Sequence, residues 1–156
     1  MSVNRISPIN KNYLTTWNRL SKIPDVLIYS KTPNKKIMVN TKKGSIIGEM
    51  YIEPRQNFAY IAELFINPKE RGKGYGNRFL DYAQNYSREN GCNGNLGVMA
   101  GAMGNESKSP HIFYRRYGFT SPDTKRIAEI DSYIKKNQTL PDLYPHMNLY
   151  FEPNKK

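Results

Sequence analysis

Apolar residues first recur along this chain at helical spacing and then in short runs typical of strands. The helical recurrence comprises Tyr13, Leu14, Trp17 and Leu20. Asn10 can cap this predicted helix, and Pro24 ends it. The apolar run at 25–29 then predicts an extended segment, and the Thr-Pro-Asn-Lys sequence at 32–35 predicts a turn.

Three strand-like segments come next, at 37–39, 45–53 and 58–66. A Lys-Lys-Gly turn at 42–44 separates the first two. The second segment alternates roughly between apolar and polar residues, and the third is almost wholly apolar, with Glu63 as its one charged residue. Because the connections are short, we predict antiparallel neighbours.

Beyond Pro68 the pattern changes to a helix followed by another strand. The apolar face of this helix comprises Tyr75, Phe79, Tyr82, Ala83 and Tyr86. Asn90-Gly91 is a stop signal, and residues 96–100 form a short apolar strand. Since strand–helix–strand units cross over with right-handed geometry, this strand is predicted to run parallel to the segment at 58–66.

The remainder of the chain adds two further helices and a closing strand. A loop at 101–109 leads to a short helix at 110–117, a second helix at 124–136 and a last strand at 147–151. Together the elements predict an α+β fold, with a mixed, mostly antiparallel sheet flanked by helices. The length of 156 residues fits a single domain covering residues 1–156.

Composition narrows the class of protein. The single cysteine, Cys92, excludes an internal disulfide, and no His/Cys cluster predicts a metal site. No stretch approaches the roughly 20 apolar residues of a membrane span, and the first 12 residues lack the apolar run of a signal peptide. We therefore expect a soluble, cytoplasmic protein without a membrane partner.

The net charge is +11 and is concentrated in the first half of the chain. Up to Arg78 there are 14 Lys/Arg against 5 Asp/Glu, which gives +9, and the remainder gives +2. Such an imbalance favours an anionic partner, either a phosphorylated cofactor, a nucleic acid or an acidic protein. General solubility, together with a codon bias towards Lys and Asn, explains it equally well.

A glycine-rich turn lies between the predicted strand at 58–66 and the helix that follows. Gly72, Gly74 and Gly76 permit positive φ angles and close approach of another atom, and the next helix offers free amides and a positive dipole end. This combination predicts a pyrophosphate site. The spacing fits neither G-x-G-x-x-G nor G-x-x-x-x-G-K-[ST], and a merely flexible loop is the alternative.

Residues 64–80 closely resemble the signature of the GNAT superfamily of N-acetyltransferases. The family's cofactor motif, [QR]-x-x-G-x-[GA], is met by Arg71, Gly74 and Gly76. Downstream, residues 112–119 are similar to the family's second block, in which a Phe-Tyr pair precedes Gly-Phe. The resemblance covers residues 58–119, while the N-terminal third and the segment after 119 agree only in element order.

The resemblance implies a cofactor and the residues that hold it. In this family two central parallel strands splay apart, and the pantetheine arm of acetyl-CoA lies between them. The cofactor-binding residues implied here are Phe65, Ile66, Arg71, Gly72, Lys73, Gly74, Tyr75 and Gly76. The implied reaction moves an acetyl group from acetyl-CoA to a primary amine by direct transfer in a ternary complex, without a metal.

Two residues are candidates for the chemistry. Tyr114 occupies the position of the tyrosine that often protonates the leaving thiolate in the family, although it is also one of many packing tyrosines. Glu63 is the first candidate for the base, unless it faces outward as the polar half of an alternating strand. His111, expected at the surface just before a helix, and a water molecule are the other candidates. His146 is interpreted as structural.

Other functions remain open at this point. The chain is alternatively a non-catalytic sensor of CoA or acyl-CoA, or a toxin-like enzyme that acetylates aminoacyl-tRNA. A nucleic-acid-binding protein ranks last, because it leaves the glycine turn unexplained. The acceptor is a small molecule or a protein, a nucleic acid is possible through the basic N-terminal half, and a homodimer is possible. The helix at 124–136 is a pocket wall, an oligomer contact or an ordinary surface helix.

Overall fold

The computed structural model describes residues 25–104 and 106–153. The predicted helix before Pro24 lies outside the described residues. The elements are β1 (Val26–Thr32), β2 (Lys35–Asn40), β3 (Ile46–Pro54), β4 (Ala59–Ile66), a 3-10 turn (Pro68–Glu70), α1 (Tyr75–Glu89), β5 (Leu96–Ala100), α2 (His111–Tyr117), α3 (Thr124–Lys135) and β6 (Met147–Phe151).

The strands form one six-stranded sheet in the order β1-β2-β3-β4-β5-β6. The pairs β1–β2, β2–β3 and β5–β6 are antiparallel, whereas β4 and β5 are parallel. This arrangement confirms the predicted α+β fold and its mixed, mostly antiparallel sheet. The described pairing of β4 with β5 runs from Ala59↔Leu96 to Ile61↔Val98.

The element at 25–29 is more regular than its sequence indicated. The sequence predicts an extended segment here but no strand of the sheet. In the structure it lies within β1, which pairs with β2 from Val26↔Asn40 onward. Its residues alternate between buried and half-buried, which is the pattern of a strand with one face against a core.

The chain divides into two compact units, and the first contains residues up to 53 together with 62–81. It holds β1 to β3, the second part of β4 and the first part of α1. Fully buried side chains fill its core, namely Met38, Ile47, Met50, Ile52, Phe79 and Leu80. Lys36 is buried with them, and its ammonium donates to Ser30 Oγ (2.7 Å) and Pro33 O (3.0 Å). These oxygens replace part of the water that the charge loses.

The second unit contains residues 54–61 and everything from 82 onward. It holds the first part of β4, the end of α1, and then β5, α2, α3 and β6. Its core includes Ile61, Leu96, Phe119, Ile130 and Leu149, each at most 1% exposed. The guanidinium of Arg115 on α2 forms two hydrogen bonds with the carboxylate of Asp131 on α3, at 2.8 and 3.0 Å. This paired contact fixes one helix against the other.

Both β4 and α1 contribute residues to each unit. The expectation of a single domain therefore stays a prediction. Within the part of the chain that the structure describes, no helix is long and apolar enough to cross a membrane.

Candidate functional site

The glycine-rich turn lies in the first unit, after β4 and the 3-10 turn, and leads directly into α1. Gly72 and Gly74 have φ angles of 78° and 87°, a region that side chains disfavour. A methyl group added at either position would meet no atom of the described residues within 4 Å, apart from the two adjacent residues. The backbone is therefore exposed at the two points where it takes its special conformation.

Within the part of the chain that the structure describes, most amides of this turn make no hydrogen bond with the backbone. The amide of Arg71 donates to Pro68 O (3.4 Å), and the next such bond runs from the amide of Arg78 to Gly74 O (3.3 Å). Among the described residues, no backbone amide from 72 to 77 reaches a backbone carbonyl. Free amides at the start of a helix, together with its dipole, suit an anionic ligand.

Three basic side chains lie at or near the turn, and they differ in their contacts and their burial. Arg71 Nε donates to the carbonyl of Ile66 (2.9 Å), and its guanidinium lies 5.4 Å from the ring centre of Phe65. Lys73 forms an ion pair with Glu70 at 3.0 Å. Arg78 is half-buried, and this desolvation lowers its pKa from the ordinary value. Arg71 is thus held against the end of β4 by two contacts.

The second part of β4 contains the other predicted cofactor residues. Phe65 is 38% exposed and Ile66 is half-buried. A methyl group at Gly48 of β3 would overlap the Phe65 carbonyl and lie 3.0 Å from Ile66 Cδ1, so β3 approaches this part of β4 closely. The sequence allowed Glu63 to be either a buried base or an outward-facing residue of the strand. In the structure Glu63 is half-buried, between these two alternatives.

Tyr114 lies on α2 in the second unit and is 4% exposed. Its ring packs edge-on against Phe113 (5.0 Å between centres) and Phe119 (5.2 Å). Burial raises the pKa of this tyrosine well above its usual value. The hydroxyl is therefore protonated at neutral pH and is able to donate.

His111 is buried, contrary to the surface position expected from its sequence. It is the first residue of α2, and its Nε2 lies 2.9 Å from Pro145 O, with Tyr144 edge-on at 4.8 Å between ring centres. Nδ1 is buried without a hydrogen-bond partner in the described structure. Burial lowers the pKa of His111, outweighing its bond to Pro145, and Arg126 and His146 lower it further. A neutral ring that donates a hydrogen bond through Nε2 fits these surroundings. This bond joins α2 to the segment before β6.

Two other residues differ in accessibility. Cys92 is buried, and its Sγ lies 3.5 Å from Arg55 O. His146, interpreted as structural, is exposed and lies against Gly101. No local sequence pattern marks this contact, because the two residues belong to segments separated by two helices.

The structure thus brings one group of predicted residues together in the first unit. Arg71 contacts both Phe65 and Ile66, and the glycine turn continues from it into α1. Glu63 belongs to the same unit, and Tyr114 belongs to the second. The first unit thus contains the predicted cofactor turn, and the second contains the buried, protonated tyrosine.

Comparisons with known proteins agree with this geometry. The Acetyltransferase (GNAT) domain matches residues 33–121, which is more than half of the chain. A search of curated proteins found no match.

Solved structures show the same fold at low sequence identity. Nourseothricin acetyltransferase superimposes with a TM-score of 0.51 at 16% identity, covering 80% of this chain and 71% of that one. The N-acetylglutamate synthase of Neisseria gonorrhoeae, complexed with coenzyme A and L-arginine, gives a TM-score of 0.53 at 14% identity. There the match covers 99% of this chain but only 33% of the synthase.

The family match includes the glycine turn, the strand before it and the block around Tyr114. This chain therefore belongs to the GNAT acetyltransferase family, whose cofactor is acetyl-CoA.

Proposed function

We propose that this protein is an N-acetyltransferase that moves an acetyl group from acetyl-CoA to a primary amine within a ternary complex. The observation that carries the proposal is the turn at 71–76, in which the amides from 72 to 76 reach no described backbone carbonyl at the start of α1. A pyrophosphate accepts several hydrogen bonds from closely spaced donors, and this turn offers them.

Cofactor binding would use residues of the first unit. The amides of Gly72 to Gly76 would bind the pyrophosphate, and Arg71 and Lys73 would add positive charge. The backbone around Phe65 and Ile66 would pair with the pantetheine arm, as the family resemblance implies. The contacts that hold Arg71 against Phe65 and Ile66 support this role, because they fix the start of the turn before the ligand arrives.

The chemical step would need few groups. The neutral amine attacks the thioester carbonyl carbon, the new N–C bond forms and the C–S bond breaks. Tyr114 would donate a proton to the leaving sulfur, because its burial keeps the hydroxyl protonated. Glu63, or a water molecule that it orients, remains a proposed base on sequence grounds.

Binding of acetyl-CoA tests the proposal directly, with a matched pair of glycine variants. Gly74→Ala places a side chain at φ 87°, and Gly44→Ala does so at φ 71° in the turn between β2 and β3. Neither methyl group would meet an atom of the described residues within 4 Å beyond its chain neighbours, so both variants carry a similar backbone cost of roughly 1 kcal/mol.

Titration calorimetry should show at least tenfold weaker acetyl-CoA binding for Gly74→Ala, and an affinity for Gly44→Ala within about twofold of the original protein. Equal affinities in the two variants would refute the pyrophosphate site. Turnover with a panel of small amines, peptides and aminoacyl-tRNA then separates an enzyme from a sensor that binds CoA without catalysis.

A further inference from the structure

We propose that the side chain of Asn67 is a positioning residue for acetyl-CoA: it ties the end of β4 to β3 and thereby sets where the glycine turn begins. The inference rests on the proposed cofactor site and names a residue outside the family's cofactor motif. Every contact that carries it lies within the first unit.

Asn67 is the residue at which the chain leaves the sheet. It stands between Ile66, the last residue of β4, and Pro68, the first residue of the 3-10 turn. Its backbone amide still donates to Ile47 O of β3 (2.8 Å). Its carbonyl instead accepts from the amide of Glu70 (2.8 Å) and closes the 3-10 turn.

The side chain of Asn67 adds a second bond to the same strand. Its Nδ2 donates to Ile46 O (3.0 Å), next to the carbonyl that accepts from the Asn67 backbone amide. Asparagine at the start of a helix usually caps it, but this side chain makes no cap hydrogen bond with the 3-10 turn. The side-chain amide therefore holds the end of β4 against β3.

Two further contacts hold the same stretch of chain. Gly48 of β3 lies so close to Phe65 that a methyl group on Gly48 would overlap the Phe65 carbonyl. Gly48 has an ordinary φ angle, so this close approach is what requires the missing side chain. Arg71, which follows the 3-10 turn, donates to Ile66 O (2.9 Å). Residues 65–67 are thus fixed both by β3 and by the residue that begins the cofactor motif.

The position of Asn67 passes to the glycine turn through a short, hydrogen-bonded connection. The 3-10 turn is closed at Asn67 O, and the amide of Arg71 donates to Pro68 O (3.4 Å), directly before Gly72. A glycine-rich segment loses more conformational freedom on becoming ordered than other segments do. An anchor at its entry reduces the ordering that the ligand must impose, and this raises the affinity.

The neutral side chain of Asn67 allows geometry to be tested separately from charge. Removing its amide leaves the positive charges of Arg71 and Lys73 in place. It also leaves the backbone of the glycine turn unchanged in sequence. A loss of affinity in an Asn67 variant would therefore report the position of the turn.

Asn67→Ala, Asn67→Gln and, as the matched control, Asn40→Ala test this role. Asn40 also lies in the first unit, and its Oδ1 accepts from the amides of Lys42 and Lys43 (3.0 Å each) between β2 and β3. Titration calorimetry should show about fivefold weaker acetyl-CoA binding for Asn67→Ala, as expected for the loss of about one hydrogen bond. Asn40→Ala should stay within about twofold of the original protein. Asn67→Gln keeps an amide donor and should recover most of the lost affinity.

Urea unfolding checks that each variant is folded under the conditions of the titration. A Kd for Asn67→Ala within about twofold of the original, an equal loss in Asn40→Ala, or no recovery in Asn67→Gln overturns the role of Asn67. If one of these results appears while Gly74→Ala still loses affinity, the proposed cofactor site stands. If the original protein binds no acetyl-CoA, both proposals fail.

Discussion

Burial sets the protonation state of two ionisable residues of this protein at neutral pH. Tyr114 is enclosed by aromatic rings and keeps its proton, whereas His111 is enclosed and stays neutral. Desolvation disfavours the charged form in both, so it acts in opposite directions on an acid and a base. A sequence names these residue types but not their surroundings.

The role of Tyr114 can be separated from its packing by removing only its hydroxyl. Tyr114→Phe keeps the ring contacts with Phe113 and Phe119. If the hydroxyl protonates the leaving sulfur, kcat should fall about 10- to 100-fold while acetyl-CoA affinity stays the same. Steady-state kinetics with calorimetry measures both. An unchanged kcat would support a packing role for Tyr114.

At the scale of elements, side chains from the helices fix irregular segments that have little structure of their own. The segment before β6 is held by His111 of α2 and by Arg126 of α3, while the pair Arg115–Asp131 joins the two helices. The pKa of Asp131 is lowered by its hydrogen bonds with Arg115. Because both partners are partly exposed, this pair contributes modestly to stability.

The contact of His111 predicts how stability changes with pH. Its folded-state pKa lies below the ordinary value of 6.5, so the unfolded chain takes up a proton first as pH falls. Above pH 6.5, protonation of His111 does not change the free energy of unfolding. It should decrease below about pH 6.5, with a slope of at most about 1.4 kcal/mol per pH unit, until the folded protein is protonated too.

His111→Gln provides the control, because its amide can still donate to Pro145 O but does not titrate in this range. Urea unfolding at several pH values from 7 to 5 should show a smaller loss of stability for the variant than for the original protein. Parallel curves for the two proteins would mean that His111 does not carry the effect.

At the scale of the whole molecule, the net charge of +11 concerns binding rather than folding. The proposed cofactor site at the glycine turn, with Arg71 and Lys73, would use part of this charge to bind an anionic cofactor. The charge by itself does not require an anionic acceptor, although aminoacyl-tRNA would satisfy it as well.

The salt dependence of KM distinguishes a protein that binds only an anionic cofactor from one that also binds an anionic acceptor. Raising the salt concentration from 50 to 500 mM should increase the KM for acetyl-CoA about three- to tenfold, because screening weakens the contacts with its phosphates. The KM for a small or protein acceptor should change by less than about twofold. A steep increase in the acceptor KM would instead indicate a nucleic acid, whose phosphate contacts release counterions.

The sequence by itself determined the order of elements from β2 to β6 and the position of the glycine turn. Each depends on neighbours along the chain: apolar periodicity for α1 and β5, and alternating glycines before a helix for the turn at 72–76. The tertiary structure alone decided that His111 is buried and that His146 lies over Gly101. These contacts join segments more than thirty residues apart, such as His111 with Pro145. Tertiary packing sets the burial and position of these residues, and the spacing of residues along the sequence does not predict them.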